Sequence, residues 1–327
     1  MERRARRTAR LLALLAALAL LAAACGGEGG EAPADGDQAG DGEAVADGVD
    51  LSGAELTVGS KEFTEQVIVG KIAAQALQGA GADVTDQTGL SGTEVVRTAL
   101  ENGEIDMYWE YTGTGWITIQ GNTEILEGAE AYYQRVAEAD ADEGIVWLEP
   151  TEVNNTYAFF TSPNAELDVS TISELAELAE SNPEQVTLCA ATEFVTRDDG
   201  LPGVREAYGF EFSSVAELDL NIAITEAIEG GECAVGEIFQ TDPRIVDQDL
   251  NVLEDDKEFF PAYNLAMTIR QDVYDENAEA YDELFGAITE LLDNDTMIEL
   301  NGRVDIDGES ADDVATDFLT ENGIISG

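Results

Sequence analysis

The sequence contains no histidine, so the commonest general base and transition-metal ligand is missing. Cysteine occurs only three times, without the paired spacing that holds a metal. Neither a Gly-x-Ser-x-Gly nucleophile turn nor a glycine-rich phosphate loop is present. Basic residues are scarce: 15 Lys and Arg stand against 69 Asp and Glu, a formal net charge of −54 at pH 7. So acidic a chain is excluded from binding nucleic acid or an anionic membrane surface. With carboxylates everywhere, a pair of them marks no catalytic site. These absences argue against an enzyme and against a resident metal or cofactor.

What is present begins with a leader. Arg3, Arg4, Arg6, Arg7 and Arg10 precede an apolar run over residues 11–23 that is too short for a comfortable membrane span. Ala22-Ala23-Ala24 then lead into Cys25, as at a bacterial lipoprotein cleavage site, with the usual leucine one position early at Leu21. Residues 1–24 are therefore expected to be a lipoprotein signal peptide and Cys25 its lipidated residue. The competing reading, an ordinary secretory signal with an incidental cysteine, is weakened by the Gly/Glu/Asp-rich stretch that follows. Residues 25–53 hold almost no large apolar side chains and are expected to form a flexible acidic linker. No later stretch approaches a membrane span, so the anchor would be lipid.

The first 24 residues hold five of the 15 cations and one of the 69 acids, leaving ten cations against 68 acids. Two readings compete: a generally acidic solvated surface, and adaptation to a salty exterior where screening makes the self-repulsion tolerable. The second is favoured. Each remaining cation then needs a local reason to exist.

Residues 57–115 set the fold class. A β-branched run at 56–58 stops at Gly59-Ser60, and apolar residues at helical spacing over 66–77 follow. A second strand near Val84, a helix capped by Thr93 and stopped by Asn102-Gly103, and a strand over 105–108 complete the order. Alternating strand and helix predicts a parallel α/β sheet, with the loops after the strands at the ligand-binding edge. The alternation resumes beyond residue 171, so two lobes are expected. Lobe 1 would comprise residues 54–152 and 261–327, and lobe 2 residues 153–260. Cys189 and Cys233 both fall on expected lobe 2 strands, a few residues before the ligand-binding end. They could be bonded in an oxidising compartment or remain two small buried hydrophobes.

The strings GSKEFTEQ (59–66), GTEVVRTALENGEIDMYWEYTGT (92–114), NNTYAFF (154–160), EFVTRDDGLPGVREAYGF (193–210), FQTDPRI (239–245) and FFPAY (259–263) resemble the substrate-binding proteins of ABC importers for glycine betaine, choline and related osmoprotectants. The resemblance covers nearly all of the chain beyond residue 54. It implies a type II periplasmic-binding-protein fold, two α/β lobes that close by a hinge on a ligand between them. It also implies an ABC permease and its ATPase as partners, and a monomeric binding protein.

A quaternary ammonium cannot donate a hydrogen bond, so its recognition relies on the negative faces of aromatic rings. By resemblance, Tyr111, Tyr157, Phe239 and Tyr263 match the four aromatic positions of the family's cage, with phenylalanine as the departure at one wall. Lys61 and Arg197 match positions that hold the ligand carboxylate or bridge the lobes. Glu193 matches a carboxylate that fixes that arginine or clasps the lobes, and Asn155 a further polar position of the cleft. Thr93 is a weaker candidate, as easily a helix cap, and Gln66 a weaker one still. Singly, each aromatic residue would read as core packing and each cation as a surface charge. Trp109 replaces an expected proline and is expected near the cleft mouth or over the sheet edge. The ligand implied first is glycine betaine, then choline, carnitine or proline betaine. Another zwitterion such as ergothioneine or an amino acid, and a betaine-sensing receptor domain, are the alternatives.

Overall fold

The computed structural model describes residues 44–327 apart from 230 and 232. The expected signal peptide, Cys25 and the expected linker through residue 43 lie outside the described residues. Two five-stranded sheets form the frame. The first contains β1 (Glu55–Lys61), β2 (Asp83–Leu90), β3 (Met107–Tyr111), β4 (Ile145–Trp147) and, late in the chain, β10 (Leu265–Arg270), in the order β2-β1-β3-β10-β4. The second contains β5 (Tyr157–Thr161), β6 (Thr187–Ala191), β7 (Ser214–Leu218), β8 (Val235–Phe239) and β9 (Asn251–Val252), in the order β7-β6-β8-β5-β9. Helices pack against both sheets. This is the two-lobed α/β architecture of a type II periplasmic binding protein.

The sheets are mixed rather than wholly parallel. β1 runs parallel to β2 and β3, and β6 parallel to β7 and β8. β10 is antiparallel to β3 and β4, and β5 is antiparallel to β8. The antiparallel strands enter their sheets from the other lobe, not from a crossover helix, so nothing forces them parallel. The two passages between sheets lie side by side, where Asn154 bridges Asn264 and the Asn155 N–H donates to the Tyr263 carbonyl at 3.2 Å.

Each lobe has an apolar interior set by its strands. The helix Thr64–Gly79 buries Ile68, Val69, Ile72, Ala73, Ala76 and Leu77 against the first sheet. The C-terminal helix Ala311–Glu321 packs on that helix through Val314, Phe318 and Leu319. In the second lobe Cys189 on β6 is joined to Cys233, just ahead of β8, with their Cα atoms 5.6 Å apart. The bond lies among Ala158, Phe160, Ala223, Ile224 and Ala227.

Three expectations change. The linker does not extend to residue 53: a short helix at Val45–Gly48 buries Ala46, with Val49 and Leu51 buried beyond it. The Val45 and Ala46 N–H groups donate to the carbonyls of Gly323 and Ile324, so this segment is held by the chain's end. Those three apolar side chains were outweighed in the sequence by Gly and Asp around them. Trp109 lies neither at the cleft mouth nor over the sheet edge. It is buried on β3, at the middle of a fully covered five-residue run, with its ring edge-on to Phe285 at 6.0 Å. Thr93 does not cap its helix: Gly92, at φ +85°, takes the cap position, and the threonine hydroxyl turns elsewhere.

Candidate functional site

The carboxyl ends of the parallel strands carry the candidate residues, as open α/β sheets generally present their ligand groups. Lys61 ends β1, Tyr111 ends β3 and Phe239 ends β8. Tyr157 opens β5, while Asn155 and Tyr263 sit on the two passages between lobes. Glu193 and Arg197 come from the helical turn after β6, and Thr93 begins the helix Thr93–Glu101. All nine line a single cavity of about 30 Å³, together with Phe63 and Thr114. Gly113 lets this happen: a Cβ there would meet the Ala262 carbonyl and the Tyr263 ring, both at 2.8 Å.

The four expected rings form one continuous wall with a fifth. Tyr157 lies 5.1 Å from Phe239 and 5.5 Å from Tyr263, the second contact edge-on. Phe63 stacks on Tyr111 at 6.3 Å and leans on Phe239 at 5.5 Å. It stands in the GSKEFTEQ string, yet its type alone gave no reason to separate it from core phenylalanines. Burial first, then nearby acids, holds the Tyr111 and Tyr263 phenols well above their usual pKa. Burial does the same for Tyr157, against the pull of Arg197. All three therefore stay neutral donors.

Both cations have acidic partners that the sequence reading missed. The Lys61 ammonium meets the buried Glu110 at 2.6 Å and lies 5.3 Å from the Tyr111 ring centre. Glu110 also accepts from the Tyr108 hydroxyl and the Tyr111 N–H. Arg197 grips Asp199 in a two-pronged pair, with its Nε 2.7 Å from Oδ1 and its Nη2 on Oδ2. Asp199 also accepts the Tyr263 hydroxyl at 2.8 Å. Arg197 reaches Glu193 at 3.2 Å, and its guanidinium lies 5.6 Å from the Tyr157 ring centre.

Glu193 and Arg197 belong to the same helical turn, so their pair is not itself a link between lobes. The links are made by threonines. The Thr93 hydroxyl donates to Glu193 at 2.8 Å, and an Arg197 Nη2 N–H lies 3.4 Å from Thr114 Oγ1. Burial opposes the charge of Glu193, but Lys61 and Arg197 outweigh it and hold its pKa below the usual value.

Two further buried carboxylates flank the cavity. Glu65 accepts from the Tyr111 hydroxyl (2.6 Å), Asn155 Nδ2 (2.8 Å), Thr241 Oγ1 (2.6 Å) and Asn301 Nδ2 (3.1 Å). Among the described residues no cation pairs with it. Burial raises its pKa, against the pull of the four donors. Glu237 on β8 accepts from the Ala191 N–H, and burial pushes its pKa up to about 7. Glu65, Glu110 and Asp199 all stand inside the quoted strings, but among 68 acids nothing local singled them out. Gln66 lies outside the cavity lining, its side-chain oxygen accepting the Lys61 N–H at 3.3 Å. Next to the cage lies a larger chamber of about 860 Å³, which shares Phe63, Thr93, Tyr157, Glu193, Arg197 and Phe239 with it. Among the described residues no helix is long and apolar enough to cross a membrane.

Residues 54–321 match the family described as the substrate-binding domain of ABC-type glycine betaine transport systems. The chain is 41% identical over 279 residues to a glycine-betaine-binding protein of Pseudomonas aeruginosa, an alignment covering 83% of this chain and 88% of that one. It is 30% identical over 273 residues to the ergothioneine transport permease/binding protein EgtU of Helicobacter pylori, covering 82% of this chain and 48% of that longer one. Among solved structures, apo YehZ of Escherichia coli superposes with a TM-score of 0.63 at 28% identity, over 83% of this chain and 99% of that one. Members of the family are extracytoplasmic, non-enzymatic binding components that supply a small ligand to a permease and its ATPase. The chain belongs to the family of substrate-binding domains of ABC-type glycine betaine transport systems.

Proposed function

We propose that the protein is a lipid-anchored, monomeric binding protein that captures glycine betaine, or a related quaternary-ammonium osmoprotectant, for an ABC permease. The observation that carries this reading is the convergence of Tyr111, Tyr157, Phe239 and Tyr263 on one small cavity that also touches Lys61 and Arg197. The trimethylammonium group would lie among the rings, where their negative faces attract a diffuse cation. The carboxylate would take donors still free on the cations. The Lys61 ammonium uses one of its three N–H groups on Glu110, and Arg197 keeps one beyond those on Asp199, Glu193 and Thr114.

Access follows from burial. Lys61, Tyr111, Tyr157, Arg197 and Tyr263 each keep less than a tenth of their surface exposed in this closed arrangement. The lobes must therefore part at the paired passages to admit the ligand, and closing on it strips water from both ends. Cys25 would carry the lipid, and the acidic chain would suit a salty exterior.

A second reading, a larger zwitterion such as ergothioneine, is favoured by the chamber of about 860 Å³ that adjoins the cage. Calorimetric titration of the chain from Ala44 onward, in high salt, separates the two. Saturable binding of glycine betaine that is lost in Tyr157→Ala supports the first. Tighter binding of ergothioneine than of glycine betaine selects the second. No binding of any trimethylammonium compound removes the cage from the reading.

A further inference from the structure

Glu65 is buried, has all four of its lone-pair directions filled by donors, and pairs with no cation among the described residues. Two of those donors are amide N–H groups, one on each oxygen, and an amide N–H cannot accept a proton in return. The arrangement fits an ionised carboxylate. Its two donors on the cavity wall, Tyr111 and Asn155, are both turned toward it. The Asn155 carbonyl oxygen is thereby left over: it is buried, without a partner among the described residues, and belongs to a residue lining the cavity. A phenol that donates to a carboxylate also holds more electron density in its ring, which deepens the negative face that Tyr111 offers a cation.

Of the other acids beside the cavity, Glu110 is answered by Lys61, and Asp199 and Glu193 by Arg197; Glu237 has no cation partner among the described residues either, but it accepts from the Ala191 N–H and from neither Tyr111 nor Asn155. We infer that Glu65 is a specificity-determining residue: its unpaired charge, one hydrogen bond behind Tyr111 and Asn155, makes the site prefer a cationic head over a neutral group of the same shape. This rests on the proposed quaternary-ammonium ligand and names what reads its charge. The rival role is mechanical. Thr241 belongs to the second lobe, so Glu65 could simply latch the lobes together.

The two roles are separated by titrating the wild-type protein, Glu65→Gln and Tyr111→Phe with glycine betaine and with 3,3-dimethylbutanoate. The second ligand replaces the ammonium nitrogen by carbon and keeps both shape and carboxylate. The wild type should favour the betaine, and Glu65→Gln should shrink that preference by about tenfold. Tyr111→Phe keeps the ring but cuts its bond to Glu65, and should shrink the preference by about threefold. Equal weakening of both ligands in Glu65→Gln identifies a latch and overturns the inference. If thermal unfolding shows Glu65→Gln unfolded, Tyr111→Phe decides, and an unchanged preference there overturns it as well. Failure of the wild type to bind the betaine overturns the ligand reading, and this inference with it.

Discussion

Two kinds of acid stand around the same small cavity. On one side Asp199, Glu193 and Glu110 face Arg197 and Lys61 at ion-pair distance. On the other, Glu65 faces only neutral donors, two hydroxyls and two amides. A paired charge fixes geometry and leaves little net field. A charge held by neutral dipoles keeps its field and must be stabilised by every donor it has. The first kind builds the walls, and the second biases what enters.

The sharpest way to break this contrast is to unpair the paired side. Arg197→Ala strands Asp199 in a buried setting and should cost about 3–5 kcal/mol, read by denaturant unfolding in high salt. A loss under about 1 kcal/mol would mean that water reaches Asp199 and that the distinction is false.

Glu237 sharpens the contrast through pH. Its folded pKa of about 7 lies above the ordinary 4.5, so the folded state binds its proton more tightly than the unfolded state. Its favourable contribution is complete below pH about 4.5 and is lost as pH rises through about 7. Glu237→Gln should therefore gain on the wild type by about 1–3 kcal/mol between about pH 5 and about pH 8, measured by unfolding at both. A difference that stays constant with pH would show that this acid is already compensated.

A smaller effect is expected from the bond between lobes. Thr93→Val removes the donor to Glu193 but leaves Arg197 in place. Ligand affinity should fall about fivefold by titration, with little change in unfolding. The smallest concerns salt. Raising it from about 0.15 M to about 3 M should stabilise the acidic surface but leave the gap between Arg197→Ala and the wild type nearly unchanged.

Much of the site was legible because the four rings and two cations stand at strand ends or on the passages between lobes, inside recognisable strings. The scarcity of cations helped: Lys61 and Arg197 stood out among ten. Their partners did not stand out, because Glu65, Glu110 and Asp199 are three acids among 68 and burial distinguishes them only after folding. Thr93 illustrates the same limit. Its place before a helix suggested a cap, yet Gly92 could take the cap position and freed the hydroxyl for Glu193 across the cleft. β7 also escaped, since a short strand of partly exposed residues has little periodicity of its own, and β10 because nearly all of it is buried and so shows no alternation.

The sequence by itself determined the alternation of strands and helices, the two lobes, the aromatic set and the absence of catalytic chemistry, because these follow from local periodicity and residue type. Only the tertiary structure decided which acids lost their water and which of those gained a cation, because desolvation and pairing depend on residues far apart in the chain. Glu65 meets Thr241 and Asn301 across separations of 176 and 236 residues. No local pattern encodes such a meeting; the closing of two lobes around one cavity does.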